Sequence, residues 1–198
     1  MTAPPLERAN DAALIEHSWH EPEAFAELYD RHAAPIHRYV TRRLGDGAAD
    51  DVVAETFLVA FGGRHRYDVA RSDARPWLYG IAGNVIGKHR RTEVRMWRAL
   101  ARTGTDPAAE GHADRVDNRV SAVTVRRELA AALAGLSAGD RDVLLLIAWA
   151  DLSYDEVAAA LNIPIGTVRS RLNRARRKTR EALGGQDPTS LREELFNE

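Results

Sequence analysis

The chain has 198 residues, enough for one large or two small domains with modest cores, and its 28 Lys and Arg against 29 Asp and Glu leave a formal net charge of -1. That balance excludes a general polyanion binder, and the absence of cysteine excludes disulfides, thiolate catalysis and cysteine-ligated zinc while fitting a reducing compartment. The charge is segregated instead. Residues 64–98 are basic, residues 45–61 carry only the acids Asp46, Asp50, Asp51 and Glu55, and the tail beyond residue 180 is mostly acidic. Separate faces for separate partners are expected from such a pattern. The opening stretch, MTAPPLERANDAALIEHSWHEPE, has early acids and no apolar run, so neither a secretion signal nor a membrane span is expected and the location is cytoplasmic.

Helical periodicity runs through almost the whole chain, with no strand pattern and no internal repeat. A helix over 11–18 leads to one over 23–44, where Phe25, Leu28, Tyr29, Ile36, Tyr39 and Val40 form an apolar stripe and Leu44-Gly45 closes it. A third helix spans about 48–61, with Val52, Val53, Thr56, Phe57 and Ala60 inward, and Gly62-Gly63 stops it. After a loop over 64–73, Pro76 opens a fourth helix that continues through Trp77, Leu78, Ile81, Val85 and Ile86 to about residue 95. Trp77 sits in the apolar period and reads as core. Residues 102–118 read as a polar linker with acids at Asp106, Glu110 and Asp114. The second block starts near Val120; Leu136-Ser137 ends one helix and caps the next, over 138–150.

The stretch over 152–180, LSYDEVAAALNIPIGTVRSRLNRARRKTR, is a helix-turn-helix in sequence form. Ser153 and Glu156 make a capping box. Asn162 stands where a left-handed residue ends the short helix, and Pro164 prevents its continuation. In the second helix Val168, Leu172, Ala175 and Thr179 form a narrow buried stripe, leaving Arg169, Ser170, Arg171, Asn173, Arg174, Arg176, Arg177, Lys178 and Arg180 outside with no acid among them. Such a helix repels itself until phosphates neutralise it, and Arg or Asn near its start can reach base edges in a major groove.

Taken together, FAELYDRH, DDVVAETFLVAF, RPWLYGIAGN with its basic KHRR, and GTVRSRLNRAR resemble the extracytoplasmic-function (group 4) RNA polymerase sigma factors of bacteria, which carry only sigma regions two and four. The resemblance implies an all-α fold of two small helical domains joined by a flexible linker: region two over 1–98, linker over 99–119, region four with its helix-turn-helix over 120–183, and a polar tail over 184–198 with Leu191, Leu195 and Phe196. It implies core RNA polymerase and promoter DNA as partners, with an anti-sigma factor as a further candidate, no membrane, no cofactor, no metal and no catalytic activity. Asp50, Asp51, Glu55 and Leu58 would face the polymerase clamp. Tyr67, Arg75, Asn84, Lys88, Arg90 and Arg91 would hold the melted non-template strand of the downstream element, Asn84 matching the family's asparagine. Gly80 and Gly83 depart from the family, which often has larger or basic side chains there. In region four Arg169, Ser170, Asn173 and Arg174 would read base edges of the upstream element, Arg174 foremost, while Thr167, Arg171, Arg176, Arg177 and Lys178 would contact phosphates.

Other classes explain less. A stand-alone helix-turn-helix regulator leaves the asparagine-bearing basic helix of the first block without a purpose. A metal hydrolase would need His17, His20, His32 and His37, but no HExxH or Asp-rich motif accompanies them. A purely structural protein would bind no DNA even with polymerase present.

Overall fold

The computed structural model describes residues 10–103 and 116–184, with side chains from residue 123 onward in the second stretch. The linker acids Asp106, Glu110 and Asp114 and the tail residues Leu191, Leu195 and Phe196 lie outside the described residues. Nine α-helices, and no strand, occur among the described residues. The first is α1 (Asp11–His17), started by Asn10, whose side chain accepts from the Ala13 amide at 2.9 Å. Next come α2 (Phe25–Leu44) and α3 (Ala49–Gly63). Gly45, at φ +81°, turns the chain sharply between them, a backbone state that favours glycine. A loop then leads to α4 (Arg75–Lys88), with Pro76 at its start where a missing amide proton costs nothing.

Leu14, Ile15, Phe25, Leu28, Ile36, Tyr39 and Val40 from α1 and α2 meet Val52, Val53, Phe57 and Ala60 of α3 and Leu78, Ala82, Val85 and Ile86 of α4 in one core. The polar Asp11 is buried among them. Its carboxylate accepts from His32 Nε2 at 2.8 Å and from the Ala74 amide at 3.0 Å, tying α1 to the start of α4.

Where the sequence predicts one helix to about residue 95, the structure has two, α4 and α5 (Arg90–Thr103). Gly83 and Gly87 weaken the end of α4, and the His89 amide closes it by donating to the Ile86 carbonyl at 2.8 Å. His89 then accepts from the Glu93 amide at 3.0 Å and starts α5. The break turns Glu93 and Trp97 inward and leaves Arg91, Arg95, Arg98 and Arg102 outside.

The second block comprises α6 (Val116–Gly135), α7 (Ala138–Ala150), α8 (Tyr154–Leu161) and α9 (Ile165–Ala182). Its core is Leu133, Leu136, Val143 to Leu146, Val157, Val168, Leu172 and Ala175. The two blocks touch along three joints, α5 on α6, α4 on α8, and α2 on α7. No helix among the described residues is long and apolar enough to cross a membrane.

Candidate nucleic-acid interface

The capping box of α8 is formed: the Glu156 amide donates to Ser153 Oγ at 3.3 Å, and the Ser153 amide donates to Glu156 Oε2 at 2.6 Å. Asn162 ends α8 at φ +50°, and the Ile163 amide donates to the Ala158 carbonyl at 3.0 Å. Pro164 presents its carbonyl to the amides of Thr167 and Val168, at 2.8 and 3.2 Å, and so starts α9. Val168, Leu172, Ala175 and Thr179 are buried against the rest of the block, Thr179 donating to the Ala175 carbonyl at 2.9 Å. Arg169, Ser170, Asn173, Arg174, Arg177 and Lys178 are exposed together on the outer face, and Thr167, Arg171 and Arg176 flank them half-buried. This face is a cationic ridge on a single helix, the kind of element a major groove admits, with an amide and guanidinium forks near its start.

Two residues at the start of α7 aim that ridge, and neither carries a sequence signal beyond a helix start. The Asp140 carboxylate accepts from Arg174 Nη2 at 3.0 Å, and a Cβ at Gly139 would stand only 2.7 Å from Nη1 of Arg171. Burial works to raise the Asp140 pKa, but the hydrogen bonds of Arg174 and Ser137 outweigh it and hold the carboxyl below its ordinary range.

In the first block the exposed Asn84, Lys88, Arg90 and Arg91 follow one another along the end of α4 and the start of α5. Lys88 pairs with Glu55 of α3. Gly80 and Asn84, one turn apart, share a face of α4. Tyr67 is placed differently: it is buried, its ring lies 4.9 Å from that of Trp77, and its hydroxyl donates to the carbonyls of Arg71 and Asp73 at 2.6 and 3.1 Å. Burial foremost pushes that phenol up to about 12. In this conformation Tyr67 shapes the loop before α4. Arg75 Nη2 donates to the Ala150 carbonyl of the second block at 2.9 Å and is likewise not offered outward.

The four arginines at heptad-like spacing on α5, Arg91, Arg95, Arg98 and Arg102, line a shallow groove with Arg90 and Val94. Ending the predicted helix near residue 95 and placing residue 102 in a linker hid this row, which appears only once α5 runs to Thr103.

On α3 the polar and apolar residues alternate between two sides. Asp50, Asp51 and Leu58 face out, Leu58 at 71% exposure, beside Val59 and the half-exposed Tyr29. Asp50 Oδ1 lies 3.1 Å from His37 Nε2. Exposed apolar side chains at Leu58, Val59 and Tyr29, with acids on the same helix, fit a protein partner better than any one of them would alone.

Residues 28–96 match the family described as Sigma-70 region 2, and residues 126–179 match Sigma-70, region 4. The chain is 38% identical over 141 residues to the ECF RNA polymerase sigma factor SigC of Mycobacterium tuberculosis, spanning 71% of this chain and 73% of SigC. It is 37% identical over 161 residues to SigL of the same organism, spanning 79% and 89% of the two chains. The fold is similar to that of CnrH, solved in complex with the cytosolic domain of CnrY, with a TM-score of 0.62 at 25% identity over 89% of this chain and 99% of CnrH.

Proposed function

The chain belongs to the extracytoplasmic-function sigma factors, which direct core RNA polymerase to specific promoters, and we propose that its exposed elements divide that task as follows. The acidic and apolar face of α3, with Asp50, Asp51, Glu55 and Leu58, docks on the polymerase clamp. The Asn84 face of α4, with Lys88, Arg90 and Arg91, holds the non-template strand after melting, because a single strand is best held by cations and a pocket for an unstacked base. Arg75 and Tyr67 join it as, respectively, a cation at the start of α4 and a support for the loop that precedes it. The outer ridge of α9 reads the upstream element as duplex: Arg169, Ser170, Asn173 and Arg174 contact base edges and Thr167, Arg171, Arg176, Arg177 and Lys178 contact phosphates. Arg95, Arg98 and Arg102, on the helix that joins the two DNA elements, add phosphate contacts to the duplex between them.

Region two then occupies 1–98, region four 120–183 and a polar tail 184–198, with a linker over 99–119 that is helical at both ends, since α5 runs to Thr103 and α6 starts at Val116. The protein supplies no catalytic group; the polymerase makes RNA, in the cytoplasm where both work. An anti-sigma factor is a further expected partner, in keeping with the likeness to CnrH, itself solved with a partner domain.

The observation that carries this reading is the presence of two basic elements of different design in one near-neutral chain. A ridge shaped for a duplex groove sits in one block, and an asparagine-bearing helix suited to unstacked bases sits in the other. A stand-alone regulator needs only the first. The test is reconstituted run-off transcription on genomic promoter fragments. The protein with core polymerase should yield discrete start sites, while the free protein binds the same fragments weakly. Tight operator binding by the free protein with no transcript would favour the regulator.

A further inference from the structure

The first helix grips both ends of the segment that leads into α4. At the near end, Nε1 of Trp19, just past α1, donates to the Arg64 carbonyl at 3.2 Å, and Nε of Arg64 donates back to the Ser18 carbonyl at 3.2 Å. At the far end, the carboxylate of Asp11, at the start of α1, accepts from the Ala74 amide at 3.0 Å. The Ala74 carbonyl in turn accepts from the Leu78 amide at 2.9 Å, so the residue that Asp11 holds is also the one from which α4 starts. Alanine has no side-chain oxygen to cap a helix, and the hold from α1 fixes the start of α4 in its place.

Asp11 is itself braced from α2. It is 7% exposed, its Oδ2 also accepts from His32 Nε2 at 2.8 Å, and its Oδ1 lies 3.5 Å from Arg31 Nη1. A buried carboxylate is a poor means of adding stability, since desolvation offsets what its partners supply. What it adds is direction, because a hydrogen bond fixes the amide it holds more narrowly than apolar packing does. Within the segment, the Tyr67 hydroxyl ties the carbonyls of Arg71 and Asp73, and the Asp73 carboxylate takes the Arg75 amide at 2.8 Å. Between these fixed points Asp68, Val69, Ala70, Arg71 and Ser72 stand exposed as a tip.

We propose that Asp11 and Tyr67 are positioning residues for strand capture: they hold the tip over 68–72 and the start of α4 in one frame, and so set how strictly the downstream element is read, without touching DNA. The proposal rests on the reading of α4 as the strand-capturing face. Base discrimination needs donors and acceptors held to within about 0.5 Å of their productive positions. Stacking and phosphate contacts tolerate a looser surface and accept any base. Releasing the tip from its anchors therefore removes selectivity before it removes binding. A melted strand still meets Lys88, Arg90 and Arg91, which are exposed beyond the anchored segment.

The test uses holoenzymes on pre-melted templates that share one upstream duplex and carry each of the four bases in turn at single non-template positions of the downstream element. Tyr67→Phe keeps the ring beside Trp77 and removes only the hydroxyl. Asp11→Asn keeps the side-chain size and removes the charge that His32 and Arg31 face. Helix content and affinity for core polymerase show that each variant is folded, and Asn84→Ala is the reference for the reading of α4. Both anchor variants should lower the preference for the best base over the worst by about tenfold, as one misplaced base-edge hydrogen bond does, while affinity for the worst base changes by less than about twofold. An equal loss at all bases, or an unchanged preference in both variants, would overturn the positioning role, and the reading of α4 survives that result where Asn84→Ala loses preference. A change in one anchor variant alone would overturn the role of the other residue. Lost preference in both anchor variants with Asn84→Ala unchanged would overturn the assignment of Asn84 and leave the anchoring standing.

Discussion

Nη2 of Arg174 rests 3.0 Å from Oδ1 of Asp140, so the side chain proposed as the foremost base reader of α9 is held from the first turn of a neighbouring helix. Asp140 is almost fully buried while Arg174 is half exposed. The acid is thus a fixed mount that takes Nε and Nη2, and Nη1 of the guanidinium is left for the proposed base contact.

Removing the mount and removing the arm should differ. Arg174→Ala deletes the fork and should lose about 1 to 3 kcal/mol of discrimination at one or two upstream positions. Asp140→Ala keeps the fork and frees its rotamers, so it should lose a smaller part of that discrimination and also cost about 0.5 to 1 kcal/mol of stability through the lost acid at the start of α7. Competition binding of the holoenzyme to single-base promoter variants, with thermal melting, separates the two. Equal discrimination in wild type and Arg174→Ala contradicts the base contact.

Charge reversal on α3 should weaken holoenzyme assembly. Asp51 and Leu58 point away from Val52, Thr56 and Phe57, so Asp51→Lys and Leu58→Ala touch little packing. Each should reduce affinity for core polymerase several-fold with unchanged helix content. Glu55→Lys is a less clean probe, because it also sets a cation against Lys88. Titration with labelled core polymerase reads the effect; full affinity in both clean variants means that another face docks.

Much of this arrangement was legible in the sequence because it is local. The Ser153 and Glu156 box, the Asn162 turn and the stripe of Val168, Leu172, Ala175 and Thr179 depend on spacing within one or two helical turns, and they stand in the structure as spacing predicts. The joint between blocks was not legible. Arg43 reads as one more surface cation at the end of a basic helix, and only tertiary packing surrounds it with Glu93, Asp142 and Tyr39. The helix break at His89 escaped for a similar reason, since the apolar period runs across it. Tyr67 looks like an aromatic free to meet a base until its hydroxyl is seen holding two loop carbonyls.

The α5 arginines should act on affinity without affecting sequence preference. Each phosphate contact removed by Arg95→Ala or Arg98→Ala should lower the slope of log affinity against log salt by about 1 and weaken all promoters alike. Filter binding of the holoenzyme from low to physiological salt measures this. An unchanged slope in the double variant assigns the row to solvent.

Asp11 should make stability depend on acid. Burial works to raise its pKa, but the hydrogen bonds of His32 and the Ala74 amide, with the charges of His32 and Arg31, hold it below the ordinary carboxylate value. A group with a depressed folded pKa stabilises above its unfolded pKa, and the stabilisation is lost as pH falls through the folded value. Asp11→Asn should therefore cost about 1.5 to 3 kcal/mol at neutral pH, with the difference from wild type narrowing below about pH 4. Urea unfolding at a series of pH values checks both parts. A constant difference down to the acid limit removes Asp11 from the acid dependence.

The division of labour between the two DNA elements is tested most directly by permanganate footprinting of holoenzymes carrying Asn84→Ala or Arg174→Ala, on duplex promoters and on the same promoters with a pre-melted bubble. Asn84→Ala removes the amide proposed to face an unstacked base, so recruitment to duplex should survive, melting should fall, and the bubble should restore part of the signal. Arg174→Ala should reduce recruitment and upstream discrimination on both templates while melting per bound complex stays near wild type. Normal melting by Asn84→Ala together with a melting defect in Arg174→Ala would contradict the assignment of strand capture to α4 and duplex reading to α9.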